Sequence, residues 1–457
     1  MTFIHKFNIN DTYMVLDINS GAVHLIDEIT YDVLDYYPEF SKEESILKLQ
    51  LQHSYKRNEI EEVIEEIDHL IKEGLLFTKS LNTSQWKDKL NNQEKVIKAM
   101  CLHIAHDCNL RCKYCFASQG DFQGERSLMS QEVGRKAIDF LIQNSGNRRN
   151  LEVDFFGGEP LMNFDVVKDI VTYARGKERE YNKNFRFTIT TNATLLTEDK
   201  MEYINENMNN VVLSIDGNKN TNDFMRPIVN GKGSYDMILP KIRKMVKKRG
   251  DKDYYVRGTF TKYNLDFSKD VIHLADEGFK EISMEPVVAE PEKDYAIKEE
   301  DLPIIFKEYE NLAMKYLERN QGDHPFHFFH FNIDLSQGPC VYKRLSGCGA
   351  GNEYVAITPE GEIYPCHQFV GNEDFKIGDI FNGIERDDIQ KQFKEAHVLN
   401  KDKCNNCWAR FYCSGGCHAN AYNFNEDIYI PYDIGCEIEK KRIECALMVQ
   451  ANMLQRA

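Results

Sequence analysis

No run of about 18 consecutive apolar residues occurs anywhere in the chain, and the first 30 residues hold no apolar core behind a basic start. The first absence excludes a membrane-spanning helix and the second a cleaved secretory signal, so a cytoplasmic protein is expected. Positive charge is also short: 57 lysines and arginines face 73 aspartates and glutamates, a formal net charge of −16. A chain this acidic lacks the basic footprint that nucleic acid or an anionic membrane surface requires. Cysteine is missing from the first hundred residues, and the total of 13 is odd and too sparse for a disulfide scaffold. In a reducing compartment, clustered cysteines more often hold metal. Four fall between Cys101 and Cys115 and nine between Cys340 and Cys445. The 457 residues, 42% of them apolar, are enough for about three domains with sizeable cores.

The first cysteine group lies in the loop His106-Asp107-Cys108-Asn109-Leu110-Arg111-Cys112-Lys113-Tyr114-Cys115-Phe116, with spacing C-x3-C-x2-C. Three soft thiolates on one short loop can reach three corners of a [4Fe–4S] cube and leave the fourth iron without a protein ligand. Zinc explains the loop poorly, because a structural zinc site closes a tetrahedron of four N or S ligands and favours C-x2-C or C-x4-C pairs. Three small core residues explain it no better, since polar side chains flank the cysteines.

The rest of the chain frames that loop. Residues 1–78 contain three short strand patterns, His5–Ile9, Thr12–Asp17 and Ala22–Leu25, followed by helical patterns over 27–37, 42–52 and 58–73. Three strands and three helices make a winged-helix arrangement. Its third helix carries Glu59, Glu61, Glu62, Glu65, Glu66 and Asp68, which would repel phosphate and so oppose DNA binding. Residues 79–96, rich in Asn, Ser and charge, read as a linker. From there strands (96–106, 151–156, 185–191, 211–215, 254–261, 281–284) alternate with helices, which predicts βαβ units and a parallel sheet. Each candidate motif falls just after a strand, where parallel sheets bind ligands. These are the cysteine loop, Gly157-Gly158-Glu159-Pro160, Thr190-Thr191-Asn192 and Ser214-Ile215-Asp216-Gly217. Arg226 and Arg257 could face the same cavity.

Beyond a helix near 299–319 come His324, His327 and His330, whose spacing could present metal ligands on one helical face. Pro325 and the surrounding phenylalanines favour packing instead. The second cysteine group then gives Cys348 and Cys366 in C-x12-G-x4-C, followed by Cys404, Cys407, Cys413 and Cys417 in C-x2-C-x5-C-x3-C, and Cys436. The C-x2-C pair alone could be half of a zinc ribbon. Cys101 and Cys445 read as structural.

The loop Cys108–Phe116 resembles the signature of the radical S-adenosyl-L-methionine (SAM) enzymes, and the later cysteines resemble the SPASM domain carried by those that act on peptides. The resemblance implies a partial (β/α)6 barrel over 97–320, a SPASM domain over 321–457 and a winged-helix peptide-recognition domain over 1–78. It implies SAM held at the open iron of the Cys108, Cys112, Cys115 cluster, with Tyr114, Phe116, Gly157, Gly158, Glu159, Asn192, Ser214 and Asp216 around it, and Glu159 taking the SAM amino group. It further implies two auxiliary [4Fe–4S] clusters, one on Cys348, Cys366 and Cys417, the other on Cys404, Cys407, Cys413 and Cys436. Cys340 is either a fourth ligand of the former or leaves that iron open to a substrate thiolate. The whole chain looks most similar to the SCIFF maturases, which implies a 5′-deoxyadenosyl radical forming a thioether in a cysteine-rich precursor. The leader of that precursor would add as a strand to residues 1–78, and a flavodoxin- or ferredoxin-type donor would supply electrons. Formylglycine formation of the anaerobic sulfatase-maturase kind, or a non-catalytic iron–sulfur peptide-binding protein, are the alternatives.

Overall fold

The structure, a computed structural model, describes residues 3–79, 86–88, 96–335 and 345–455. Most of the expected linker, and Cys340, lie outside these residues. The chain begins with a three-stranded antiparallel sheet, β1 (Ile4–Ile9), β2 (Thr12–Asp17) and β3 (Val23–Ile26), in that spatial order. The β1–β2 turn needs two residues at positive φ, which Asn10 and Asp11 supply at 46° and 59°. Three helices follow: α1 (Glu28–Val33), α2 (Lys42–Gln52) and α3 (Arg57–Lys72). Asp27 caps α1, and Ser41 with Glu44 forms a capping box on α2. The i, i+3, i+4, i+7 set Ile60, Val63, Ile64 and Ile67 turns inward, into a core separate from the main one. Glu62, Glu65 and Glu66 face solvent.

The main sheet contains six parallel strands in sequence order: β4 (Ala99–Ala105), β5 (Asn150–Gly157), β6 (Asn184–Thr191), β7 (Asn210–Ser214), β8 (Tyr255–Phe260) and β9 (Glu281–Pro286). Between and after them run α4 (Gln131–Asn144), α5 (Phe164–Tyr181), α6 (Glu198–Asn207), α7 (Lys219–Met225), α8 (Tyr235–Arg249), α9 (Ser268–Asp276) and α10 (Leu302–Asn320). Right-handed crossovers between strands that never reverse order put every helix on one face, and strand twist curls the sheet away from them. The alternation is visible in β5, where Leu151, Val153 and Phe155 are buried while Glu152, Asp154 and Phe156 face the other way, into a polar lumen.

The sheet does not stop after its sixth parallel strand. β10 (His327–Phe328) joins β9, and at the opposite edge β11 (Tyr354–Ile357) pairs parallel with β4. Three short antiparallel strands then extend it to 11: β12 (Glu362–Tyr364), β13 (Gly378–Asp379) and β14 (Gly383–Ile384). The cysteine-rich end of the chain is therefore hydrogen-bonded directly to the strand that feeds the first cysteine loop. Helices α11 (Asp387–Glu395), α12 (His418–Asn425) and α13 (Asp433–Leu454) complete the chain, with α13 packed along α10.

Several expectations need correction. α1 ends at Val33 rather than near 37. Helix α7 had no counterpart in the sequence reading, because Asn218-Lys219-Asn220-Thr221-Asn222 has turn composition. The Asn218 side chain accepts from the amides of Asn220 and Thr221 and so starts a helix instead. The three histidines do not share a helical face: His327 lies on β10 and His330 in a 3₁₀ turn, 3.2 Å from Glu285. No helix among the described residues is long and apolar enough to cross a membrane.

Candidate active site

The loop after β4 is held from two sides. Its backbone is tied to the segment after α7, with Arg111 N–H donating to Pro227 O and Lys113 N–H to Met225 O. From the other side the end of β5 presses against it. A Cβ on Gly158 would lie 2.1 Å from the carbonyl oxygen of Asp107, and one on Gly157, at φ +120°, 2.4 Å from that of Ala105. Both glycines are there so that two backbones can touch. Under this cover the free thiols of Cys108 and Cys112 are pushed up to about 11 and about 12 by burial. Each lies close enough to the other and to Cys115 for their charges to interact. Three neighbouring thiols on one loop, two of them buried and hard to ionise alone, fit a shared metal cluster, whose binding releases thiol protons. The Cys108 sulfur also accepts from Leu110 N–H at 3.4 Å and from the Asn192 amide at 3.7 Å.

The other residues named from sequence divide into those open to a ligand and those spent on the frame. Ser214 ends β7 and is half-buried. Phe116 is 50% exposed and leans on Phe156 and His367. Glu159, expected to take an amino group of the ligand, is fully buried, and its carboxylate accepts from Leu161 N–H, Asn192 N–H and the Thr191 hydroxyl. Its side chain therefore ties the end of β6 to the end of β5. A motif's position after a strand does not by itself say which way a carboxylate turns. Tyr114 and Asp216 likewise meet each other at 2.6 Å, with Arg226 donating to the Tyr114 hydroxyl at 2.9 Å and lying 3.6 Å from Asp216. Arg226 is 7% exposed, its charge reaches Cys108 and Cys112, and its Nε has no acceptor among the described residues. An orphaned buried donor beside the cysteine loop fits an anionic ligand group such as the SAM carboxylate.

The later cysteines fall into two sets. Cys366, just past β12, is near the charges of Cys348 and Cys417. Cys404, Cys407, Cys413 and Cys436 interact with one another around a cavity of about 290 Å³. Short helical turns at Asp402–Asn405 and Arg410–Cys413, and the first turn of α13, bring those four together. Ser414, Gly415 and Gly416, all at positive φ, then swing the chain so that Cys417 joins the other set. Lys401, which the sequence reading passed over, is fully buried at this junction. It donates to Gly415 O at 2.9 Å and lies near Cys404, Cys413, Cys417 and Cys436. A buried cation between two thiolate sets offsets their negative charge. Cys101 and Cys445 are buried core residues, and all the described cysteines are free thiols.

The lumen below the loop is lined by charge. Arg257 on β8 and Arg442 on α13 lie 3.8 Å and 3.3 Å from Glu285, and His330 3.2 Å from it. The His330 ring, Arg442 and Arg257 together hold the Glu285 carboxyl far below the usual range despite burial, while burial holds His330 itself below the usual imidazole range. Asp154 on β5 has no cationic partner among the described residues: it sits in register between Cys101 and Thr188, and burial holds its carboxyl up at about 6.

Two outcomes follow from this geometry. Gly158→Ala should displace the cysteine loop, and iron analysis after reconstitution should find about four irons per chain fewer than in the wild type. For Asp154, the folded protein holds more protons than the unfolded one between about pH 4 and pH 6, so its contribution to stability falls as pH rises through that window. Above it the ionised carboxylate costs about 3 kcal/mol. Asp154→Asn should raise the thermal unfolding midpoint, with a gain about 1 kcal/mol larger at pH 7.5 than at pH 5. An equal gain at both pH values would count against an ionising Asp154.

Residues 102–284 match the radical SAM superfamily, and residues 348–408 match the SPASM iron–sulfur cluster-binding domain. The chain is 26% identical over 344 residues to a cysteine-type anaerobic sulfatase-maturating enzyme of Clostridium novyi, a match covering 71% of this chain and 89% of that one. It is 22% identical over 429 residues to the radical SAM cyclopropyl synthase TigE of Paramaledivibacter caminithermalis, covering 87% and 84%. Among solved structures, anSMEcpe with bound AdoMet superposes with a TM-score of 0.65 at 20% identity over 79% of this chain and 100% of that one. Streptococcus suis SuiB bound to S-adenosylmethionine gives 0.55 at 17% identity over 95% and 99%. The chain thus consists in large part of a radical SAM domain with the fold of these enzymes and a SPASM iron–sulfur domain, and is related to peptide-modifying and sulfatase maturases.

Proposed function

We propose that this chain is a radical SAM peptide maturase that forms an intramolecular thioether in a cysteine-rich precursor peptide. The observation that carries the reading is the gathering of the thiols into sets of three, three and four, in a chain whose small N-terminal sheet ends in the edge strand β3. When bound, three [4Fe–4S] clusters and SAM supply one-electron cleavage chemistry that takes hydrogen from an unactivated carbon. Everything else falls to the chain's own residues. Leu110 N–H and the Asn192 amide donate to the Cys108 sulfur, and the Arg226 cation lies nearby; all three draw negative charge off the first cluster and make it easier to reduce. Arg226 Nε, buried with no acceptor among the described residues, would hold the SAM carboxylate. Phe116, Phe156 and His367 wall the space between the first cluster and the Cys366 set, keeping water from the reacting carbon.

The polar lumen suits a peptide backbone better than an apolar ligand, with Thr188, Thr190, Ser214 and Arg257 as donors. Precursor recognition falls to residues 1–78. β3 is an edge strand of four half-buried residues, able to take an added strand from a leader beside α3. SuiB, whose fold likeness spans 95% of this chain, has been solved with the precursor peptide SuiA. The first auxiliary set supplies three thiolates, and an open iron there is the natural seat for a substrate cysteine sulfur.

Formylglycine formation is the second reading, favoured by the 26% identity to the sulfatase-maturating enzyme. Anaerobic incubation with SAM, dithionite and a cysteine-rich peptide separates the readings. A thioether removes two hydrogens per cross-link, whereas formylglycine from cysteine also exchanges sulfur for oxygen. No 5′-deoxyadenosine at all would remove the enzyme hypothesis. In the same assay Arg226→Lys should weaken SAM binding about tenfold or more, since lysine keeps the charge but loses the second donor nitrogen, while iron stays at about twelve per chain.

A further inference from the structure

The cavity of about 290 Å³ around Cys404, Cys407, Cys413 and Cys436 is not enclosed by the C-terminal residues alone. Its remaining wall comes from the opposite end of the chain, from Ile4 and His5 on β1. The His5 ring lies flat on Trp408, with centroids 3.7 Å apart and planes 4° from parallel, and Trp408 directly follows the ligand candidate Cys407. The ring is fixed at its far end too, since Nε2 lies 2.9 Å from the Glu444 carboxylate on α13. A second tie lies nearby: Arg410 donates to the Asn19 side chain at 2.9 Å, and Asn19 in turn donates to Thr78 O. β1 is an outer strand of its sheet, and among the described residues it meets this cavity rather than another strand.

We propose that the N-terminal module is a structural wall of the second auxiliary cluster. His5, stacked on Trp408, closes the cavity around the four thiolates and sets how freely solvent and oxygen reach the iron held there. His5 is a wall and not a ligand, because four thiolates complete the coordination of a cube and its Nε2 is engaged by Glu444. This role is separate from leader binding: β1 shelters the cluster, while β3, two strands away, remains the edge for a peptide. Exposure governs both the stability and the potential of an iron–sulfur cluster, so one small sheet joins substrate recognition to the redox site.

The test uses the full-length reconstituted enzyme and the variants His5→Ala and His5→Phe. Each is exposed briefly to oxygen and alkylated with iodoacetamide, and the labelled cysteines are located by mass spectrometry. In His5→Ala, Cys404, Cys407, Cys413 and Cys436 should become alkylated about five-fold faster or more than in the wild type, ahead of Cys348, Cys366 and Cys417. His5→Phe, which keeps a ring on Trp408, should match the wild type, and iron before exposure should be equal in all three proteins. Unchanged labelling in His5→Ala, or equal acceleration in both variants, overturns the proposal. A deficit of about four irons in both variants before exposure also overturns it, because His5 would then be a ligand. None of these readouts depends on peptide modification, so the wall can fail while the maturase reading stands, and the reverse.

Discussion

A thiol under cover resists ionisation. Burial pushes Cys112 and Cys413 to about 12, and a second thiolate nearby makes each ionisation harder still. Sets of three and four converging cysteines are therefore unstable as thiolates unless iron draws them together, and much of the surrounding structure prepares for that charge. Arg226, paired with Asp216, is buried beside the first set, and Lys401 lies buried between the other two, where a cation with no thiolate nearby would be costly to bury. Backbone and amide N–H groups aimed at the Cys108 sulfur serve the same end. The folded chain and the clusters are complementary: each lowers the cost of the other.

The same constraint accounts for the path of the chain. β11 pairs with β4, the strand that delivers the first cysteine loop, so the C-terminal cysteines are fixed to the barrel by a backbone ladder rather than by side chains alone. His367, one residue past Cys366, consequently reaches Phe116 and Phe156 at the mouth of the lumen. α13 completes the arrangement by carrying Cys436 at one end of a segment and Arg442 further along. Arg442 meets Glu285 in the lumen wall, and Glu439, one turn from Cys436, borders the second auxiliary cavity. One helix thus joins the cavity of the four cysteines to the charged face around Glu285.

How much of this could be read from the sequence depended on how local each feature is. Cysteine spacings are local, and the C-x3-C-x2-C loop already implied a three-ligand cluster. Period-2 alternation in β5 and β6 and the helical stretches between strands are local as well, so the βαβ units were legible. Arg226 could be named only as a residue near the cavity, and Lys401 not at all, because their partners lie far along the chain and nothing in Asn400-Lys401-Asp402 marks the lysine. The strands of two residues at 327, 378 and 383 have no period to detect. Glu159 shows a subtler limit. Its place after β5, against the cysteine loop, was legible, but three donors from the end of β6 and the adjoining turn meet the carboxylate, and only the packed structure reveals them.

The N-terminal sheet is tied to the C-terminal part of the chain by polar side chains. His5 and Asn19 are polar residues of a module with its own apolar core, yet both spend their side chains on the C-terminal part of the chain. A module joined to the rest of the chain by its covalent connection alone would make no such ties. Instead β1 is pressed against Trp408 with near-parallel rings, a geometry that tolerates little sliding. If a peptide pairs with β3 while β1 is held at the cavity wall, the leader enters at a fixed distance and direction from the cysteine sets. The region of the precursor that reaches the lumen is then decided by the number of residues between leader and core, before any contact in the lumen is made.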